Sequence, residues 1–279
     1  MNPKIISEFI AEKLDKGKKN VKIPIYQIDA FTNEQFKGNP AAVCPLEEWI
    51  TDDLLQKIAA ENNLSETAFF VKKGSEYELR WFTPKAEVDL CGHATLATAF
   101  VIFTYLDKRI TNIKFNTASG ILEVSKVGNL LTMIFPSREG ERCDAPEALI
   151  KGLGRKPKEV YKSKFYMAVF EAEEDILNLE LNMDELRKLG NFDVIVTAKG
   201  NTVDFVSRFF APYIGIDEDP VTGSAHCMLV PYWKKVLNKT EFVALQLSAR
   251  GGKLYCADLG DKVSISGEAV PYLEGYINI

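Results

Sequence analysis

Hydrophobic residues in this chain fall mostly in short runs that alternate with polar positions or are rich in β-branched side chains, such as "KIPIYQIDAF", "TAFFVKK", "YELRWFT", "NIKFNT", "LLTMIF", "KFYMAVF", "DVIVTA", "VDFVSRFF" and "KVSISG". Each is bounded by Gly, Pro, Asn or Asp, the pattern of half-buried strands closed by turns. Two amphipathic helices are predicted among them, one capped by Thr51 and Asp52 and running through Ala60, the other capped by Asn182 and running through Leu189. Two further segments differ in kind. From His93 to Leu106, "HATLATAFVIFTYL" has helical length and almost no polar face, and its threonines can bond back to the preceding turn. After Gly223, "SAHCMLVPYWKKVL" is also mostly apolar, and Pro231 should kink it by removing one backbone hydrogen bond. Helices of this composition must be enclosed, so the pattern predicts a short-stranded sheet wrapped around one buried helix, twice over.

The two halves repeat one another. Arg80-Trp81-Phe82-Thr83-Pro84 lies over Arg208-Phe209-Phe210-Ala211-Pro212, and the same spacing sets Asp89 on Asp217. The second copy then carries three extra residues, after which Gly92-His93-Ala94 falls on Gly223-Ser224-Ala225 and "TASG" at Thr117 falls on "SARG" at Ser248. Upstream, "TDDLLQKI" at Thr51 resembles "MDELRKL" at Met183. Matches in one order across both halves indicate an internal duplication. The expected organisation is an extension over residues 1–20, an N-terminal barrel domain over 21–136 and a C-terminal barrel domain over 137–279, with a strand near 270–279 available to return to the first.

A length of 279 residues suits two such units, and a net charge of −5 with scattered lysines lacks the basic footprint that nucleic acid requires. Cys44, Cys91, Cys143, Cys227 and Cys256 are widely spaced, odd in number and accompanied by only two histidines, which argues against a zinc site or a disulfide framework and for a reducing compartment. The first twenty residues lack the apolar core of a signal peptide and read as an amphipathic helix through Ile5, Ile6, Phe9, Ile10 and Leu14. The longest nearly apolar run, "ATLATAFVIFTYL", is too short to span a bilayer, so a cytoplasmic protein with no membrane partner is expected. Neither a Walker-type loop nor a Rossmann glycine fingerprint is present, and no cofactor or metal is expected.

Each buried helix begins just after a glycine turn, Cys91-Gly92-His93 in one half and Thr222-Gly223-Ser224 in the other. Free N–H groups and the positive end of the helix dipole make such starts anion sites. If the duplication sets them face to face, a small carboxylic acid would sit between them. The motifs "YQIDAFTNEQFKGNPAAVC", "NLSETAFFV", "RWFTPKAEVDLCGHATLA", "RFFAPYIGIDEDPVTGSAH" and "LSARGG", from about Ile25 onward, resemble the PhzF, or phenazine biosynthesis-like, family. That resemblance implies an α+β fold of the diaminopimelate epimerase type: two pseudo-symmetric domains, each a mostly antiparallel β-barrel around a central buried helix. It also implies a cofactor-independent isomerase site between them and a homodimer.

By the same resemblance Glu66, His93, Asp219 and Ser224 match the catalytic positions, with Asn39, Cys91, Gly92, Thr222 and Gly223 near the substrate. A carboxylate at Glu66, beside Ala68, Phe69 and Phe70, should be poorly hydrated, which favours general acid–base work. At His93 the helix dipole should favour a neutral ring. His226 reads instead as a core histidine bonded to a carbonyl, Arg80 and Arg208 as structural partners of a nearby acid such as Asp89 or Asp217, and Trp49, Trp81 and Trp233 as core or interface filling. Sister enzymes of the fold place two thiols on opposite faces of a substrate carbon. Cys91 holds the first such position, but its partner in the repeat is Thr222 and Cys227 lies a turn deeper, so the second face lacks an acid of matched strength. An isomerase acting through Glu66 is the leading expectation. A single-thiol dehydratase or epimerase-like enzyme using Cys91 and a noncatalytic binding member of the fold are the alternatives.

Overall fold

A computed structural model describes residues 21–279 except Gly215, so the helix expected over residues 1–20 lies outside the described residues. In the first half, strand Lys22–Ala30 pairs antiparallel with Asn39–Leu46, which runs parallel to Glu66–Lys73. That strand turns back on Glu76–Phe82, which runs parallel to Asn112–Thr117, and Gly120–Val127 and Leu130–Pro136 follow antiparallel. The second half repeats every step with Glu159–Lys162, Tyr166–Val169, Val194–Lys199, Phe205–Phe210, Glu241–Gln246, Gly252–Asp258 and Lys262–Gly267.

A parallel joint cannot be closed by a tight turn, so each one forces a crossover. The first crossover of each half is an outer helix or helix pair, Asp52–Asn62 in one and Glu173–Leu177 with Met183–Arg187 in the other. Thr51 occupies its cap position without a side-chain bond, whereas the Asn182 side chain accepts from the Glu185 N–H at 3.2 Å. The second crossover is the apolar helix, which runs through the barrel interior: Gly92–Val101 with a wide turn to Leu106, and a short turn Gly223–Ala225 leading into His226–Leu237. Burial of the first is complete enough that Thr95 and Thr98 return their hydroxyls to the carbonyls of Cys91 and Ala94, at 2.5 and 2.7 Å. On the second, Trp233 stacks on Phe205 and donates its indole N–H to Thr197 Oγ1 at 3.0 Å.

The halves are stitched by their own ends. Lys262–Gly267 pairs antiparallel with Leu130–Pro136, Glu141–Cys143 crosses to pair with Glu159–Lys162, and Ala269–Asn278 returns to pair with Lys22–Ala30. The outward-facing arginines hold different acids from those expected. Arg80 binds Glu87 and Asp52, and Arg208 binds Glu218 and the Ile176 carbonyl; the short return strand Glu87–Val88 sets Glu87 opposite Phe82, diagonal to Arg80, and ends before Asp89. Asp217 pairs with Arg187 instead. Each guanidinium also covers the aromatic ring two residues on, Phe82 or Phe210. No helix among the described residues is long and apolar enough to cross a membrane.

Candidate active site

The two helix starts meet. A Cβ placed on Gly92 would lie 4.0 Å from the Gly223 Cα, so only glycine-sized residues separate the tips. Around them opens a cavity of about 220 Å³ lined by Glu66, Cys91, Gly92, His93, Asp219, Thr222, Gly223 and Ser224, and also by Lys164, Phe165 and Asp193, which the sequence reading did not single out.

Glu66 is the first residue of its strand and shares a face with Ala68 and Phe70, the face turned to the central helix. Phe69 points the other way, against the outer helix, and does not desolvate it. The Glu66 side chain is only 14% exposed, and its Oε2 lies 3.0 Å from His93 Nε2. The alignment is too poor for a hydrogen bond, which leaves Oε2 buried and unsatisfied.

Asn39 decides the proton arrangement. Its Nδ2 donates to Asp219 Oδ1 at 2.8 Å and to the Val221 carbonyl at 3.0 Å, and it faces His93 Nδ1 at 3.1 Å. Turning the amide over would set Oδ1 against two acceptors, so the observed orientation is held even though Oδ1 is left buried without a partner. Both Nδ2 protons are directed at Asp219 and Val221 and Nδ2 cannot accept one, so the neutral ring that fits turns an unprotonated Nδ1 to the amide and carries its proton on Nε2, on the Glu66 side. Asn39, the first residue of its strand, is fully buried against His93 and Asp219 and is not among the residues that line the cavity.

Burial, the largest influence on His93, works against a charged ring; the negative charge of an ionised Cys91, and after it that of the Glu66 carboxylate, oppose burial and together raise the ring's pKa well above its ordinary value. Burial pushes the Cys91 thiol itself up to about 11, with Glu66 adding to the rise, so it stays protonated near neutrality. The neutral ring expected from the helix dipole is thus opposed by a full negative charge in contact, which is stronger than a terminal half-charge. Charging the ring on Nδ1 means giving up the Asn39 contact.

Asp219 belongs to the three-residue insertion and has no first-half counterpart. Burial raises its carboxyl to about 6, against the pull of His93 and hydrogen bonds from the Thr222 hydroxyl and Asn39. Gln246, also fully buried, clamps this loop: its Oε1 accepts the Thr222 N–H and its Nε2 donates to the Asp219 carbonyl, both at 2.8 Å. Sequence reasoning passed over Gln246, although it directly precedes the "LSARGG" motif. That motif supplies Arg250, which binds Asp29 and the carbonyls of Lys37 and Gly38 at 2.8 Å and so fixes the loop leading into Asn39. Ser224 makes no side-chain hydrogen bond among the described residues and lines the cavity.

Cys227 and His226 lie off the site. His226 sets Nδ1 3.1 Å from the Thr222 carbonyl, and burial lowers its pKa to about 4. Glu66, Cys91 and His93 bring a carboxylate oxygen, a thiol sulfur and an imidazole nitrogen within 4.8 Å of one another, a set a divalent ion could in principle use. Both His93 nitrogens face partners within the site, Nε2 the Glu66 carboxylate and Nδ1 the Asn39 amide.

The family model for phenazine biosynthesis-like proteins matches residues 28–275. The chain belongs to the PhzC/PhzF family. A Pseudomonas aeruginosa family relative, named an uncharacterized isomerase, is 48% identical over 259 residues, covering 93% of this chain and 100% of its own. Among solved PhzF structures, the Enterococcus faecalis protein is 46% identical with a TM-score of 0.91, covering 93% of this chain and all of that one. A PhzC/PhzF protein from Clostridium difficile is 48% identical with a TM-score of 0.89, covering 92% of this chain and all of that one. The duplicated α+β architecture is the PhzF, diaminopimelate epimerase-like fold.

Proposed function

We propose that this PhzF protein is a cofactor-independent isomerase that moves a proton within a small carboxylic acid. The observation that carries the reading is the meeting of two helix N-termini at Gly92 and Gly223 beside the poorly exposed carboxylate of Glu66. The substrate carboxylate binds the N–H groups of those tips, where aligned peptide dipoles favour negative charge. Glu66, with its Oε2 beside His93 Nε2, removes a proton from a substrate carbon. Behind them Asn39 couples His93 to Asp219, so a change of charge in the first half is felt in the second. Ser224 and Thr222 border the remaining wall and orient the substrate.

Deuterium incorporation from D₂O into a panel of small unsaturated and hydroxylated carboxylic acids tests this directly. Glu66→Gln should abolish exchange while leaving binding of the same acid within a few-fold, and retained exchange would remove Glu66 from the role. Cys91→Ala separates the thiol alternative: exchange within about threefold of wild type leaves Cys91 as packing, and loss comparable to that of Glu66→Gln, expected to be about a hundredfold or more, transfers the base to it. No turnover anywhere in the panel, with tight binding retained, would favour a noncatalytic binding protein. A homodimer and a cytoplasmic location complete the proposal, the first supported by family resemblance and the second by five free thiols; light scattering at twice 31.3 kDa tests the dimer.

A further inference from the structure

The repeat carries more than the helix starts. In the first half the strand pairing sets Thr67 opposite Phe82, and in the second it sets Val194 opposite Phe210. Phe82 and Phe210 are equivalent in the duplicated motif, so the residue preceding each strand partner is equivalent too: Glu66 and Asp193. Sixteen positions separate Glu66 from Phe82 and seventeen separate Asp193 from Phe210. The second hairpin is therefore one residue longer, and only strand register aligns the two acids.

Asp193 shares its strand face with Ile195 and Thr197, and Thr197 receives the indole proton of Trp233 on the second central helix. Its face is thus the one turned inward, as for Glu66. The two acids line the same cavity. No hydrogen bond or ion pair holds the Asp193 side chain among the described residues, unlike Asp219, which is fully engaged by Thr222 and Asn39. Burial raises the Asp193 carboxyl to about 6, opposed by Lys164 and reinforced by Asp219, which brings it closer to neutrality than an ordinary aspartate. A carboxyl that is unheld and inward-facing has no evident packing role.

We infer that Asp193 is a second acid–base residue of the site, the counterpart of Glu66 at the head of the equivalent strand in the second half, and that it handles the proton at the far end of the substrate's reacting segment. The inference rests on the isomerase reading above. In an allylic shift Glu66 takes the proton and leaves the C–H electron pair on a carbanion delocalised over the allylic segment. The far carbon then forms its new C–H bond with the proton of Asp193, and the remaining pair becomes the shifted C=C bond. Glu66 ends protonated and Asp193 ionised, and exchange with solvent resets both.

But-3-enoate and crotonate, an acid pair related by this shift, are suitable probes within the panel, each incubated in D₂O and followed by NMR. With the acid that wild type turns over, Asp193→Asn should lower formation of the isomerised product by about a hundredfold or more, within the range of acid–base contributions. Deuterium exchange at the carbon served by Glu66 should meanwhile stay within about threefold, because carbanion formation there does not need Asp193. Glu66→Gln should lose both. Asp193→Ala, read in the same way, serves if the asparagine variant folds poorly. Product formation that survives in the Asp193 variants, or exchange and product lost in equal proportion, overturns the assignment. Absence of wild-type turnover across the whole panel overturns the isomerase reading and this inference with it, whereas wild-type turnover with an indifferent Asp193 overturns this inference alone.

Discussion

Replacing His226 by leucine should change how stability depends on pH while changing little at pH 7.5. The ring is fully buried in an apolar helix and packs on Phe205; its Nδ1–H reaches the Thr222 carbonyl and its Nε2 has no partner. Burial holds its pKa at about 4 against an ordinary 6.5, so the unfolded chain takes up the proton first as pH falls. Acid therefore favours unfolding through this residue. Its contribution is fully present above 6.5, declines as pH drops, and is gone below about 4. At about 1.4 kcal/mol per pH unit, that interval amounts to roughly 3 kcal/mol. The leucine variant loses one hydrogen bond and one buried orphan nitrogen, effects of opposite sign of about 1 kcal/mol each. Urea unfolding of both proteins at pH 7.5, 6.5, 5.5 and 4.5 should show the variant gaining on wild type by about 1 kcal/mol per pH unit below 6.5. Contributions from Asp193 and Asp219 cancel in the difference. A difference that stays flat across this range would mean that the ring is already charged or hydrated when folded, and the linkage reasoning would fail.

Gly92→Ala should separate folding from binding. Its methyl meets nothing closer than the Gly223 Cα at 4.0 Å, and alanine in a helix is favoured over glycine by up to about 1 kcal/mol, so the melting temperature should hold or rise. The same methyl occupies the seam proposed for the substrate carboxylate, and the KM of any substrate acid should rise about tenfold or more, a loss of about 1.4 kcal/mol. Arg250→Ala leaves the 2%-exposed Asp29 with only the Phe36 N–H as partner, which should cost about 3 kcal/mol in denaturant unfolding at pH 7.5. Burial already raises the Asp29 pKa and Arg250 opposes the rise, so the variant's deficit should shrink as the pH is lowered and the carboxyl takes a proton.

Much of the architecture was legible because it is written in periodicity. Two helices without a polar face have to be enclosed, and the repeated Arg-aromatic-Phe motif followed by a glycine turn sets their entry points in both halves. Cys91, His93, Thr222 and Ser224 could be picked out because they sit within or beside those turns, and Glu66 because "NLSETAFFV" resembles a motif of the family. Asn39 was picked out too, but its place against His93 and Asp219 depends on partners distant in sequence. Gln246 and Arg250 follow from no local pattern, since their partners lie 24 to 221 residues away. Asp193 was hidden by a single added residue in a hairpin.

The chain by itself determined that there would be two enclosed helices, two matching halves and glycine turns able to hold an anion, because hydrophobic spacing and backbone freedom are local properties. Only the tertiary structure decided that the helix tips would meet, that the Asn39 amide would join His93 to Asp219, and that Glu66 and Asp193 would line one cavity. Those facts depend on strand register and on charges brought together from opposite ends of the sequence, where burial and Coulomb forces act across space and leave no mark in the order of residues.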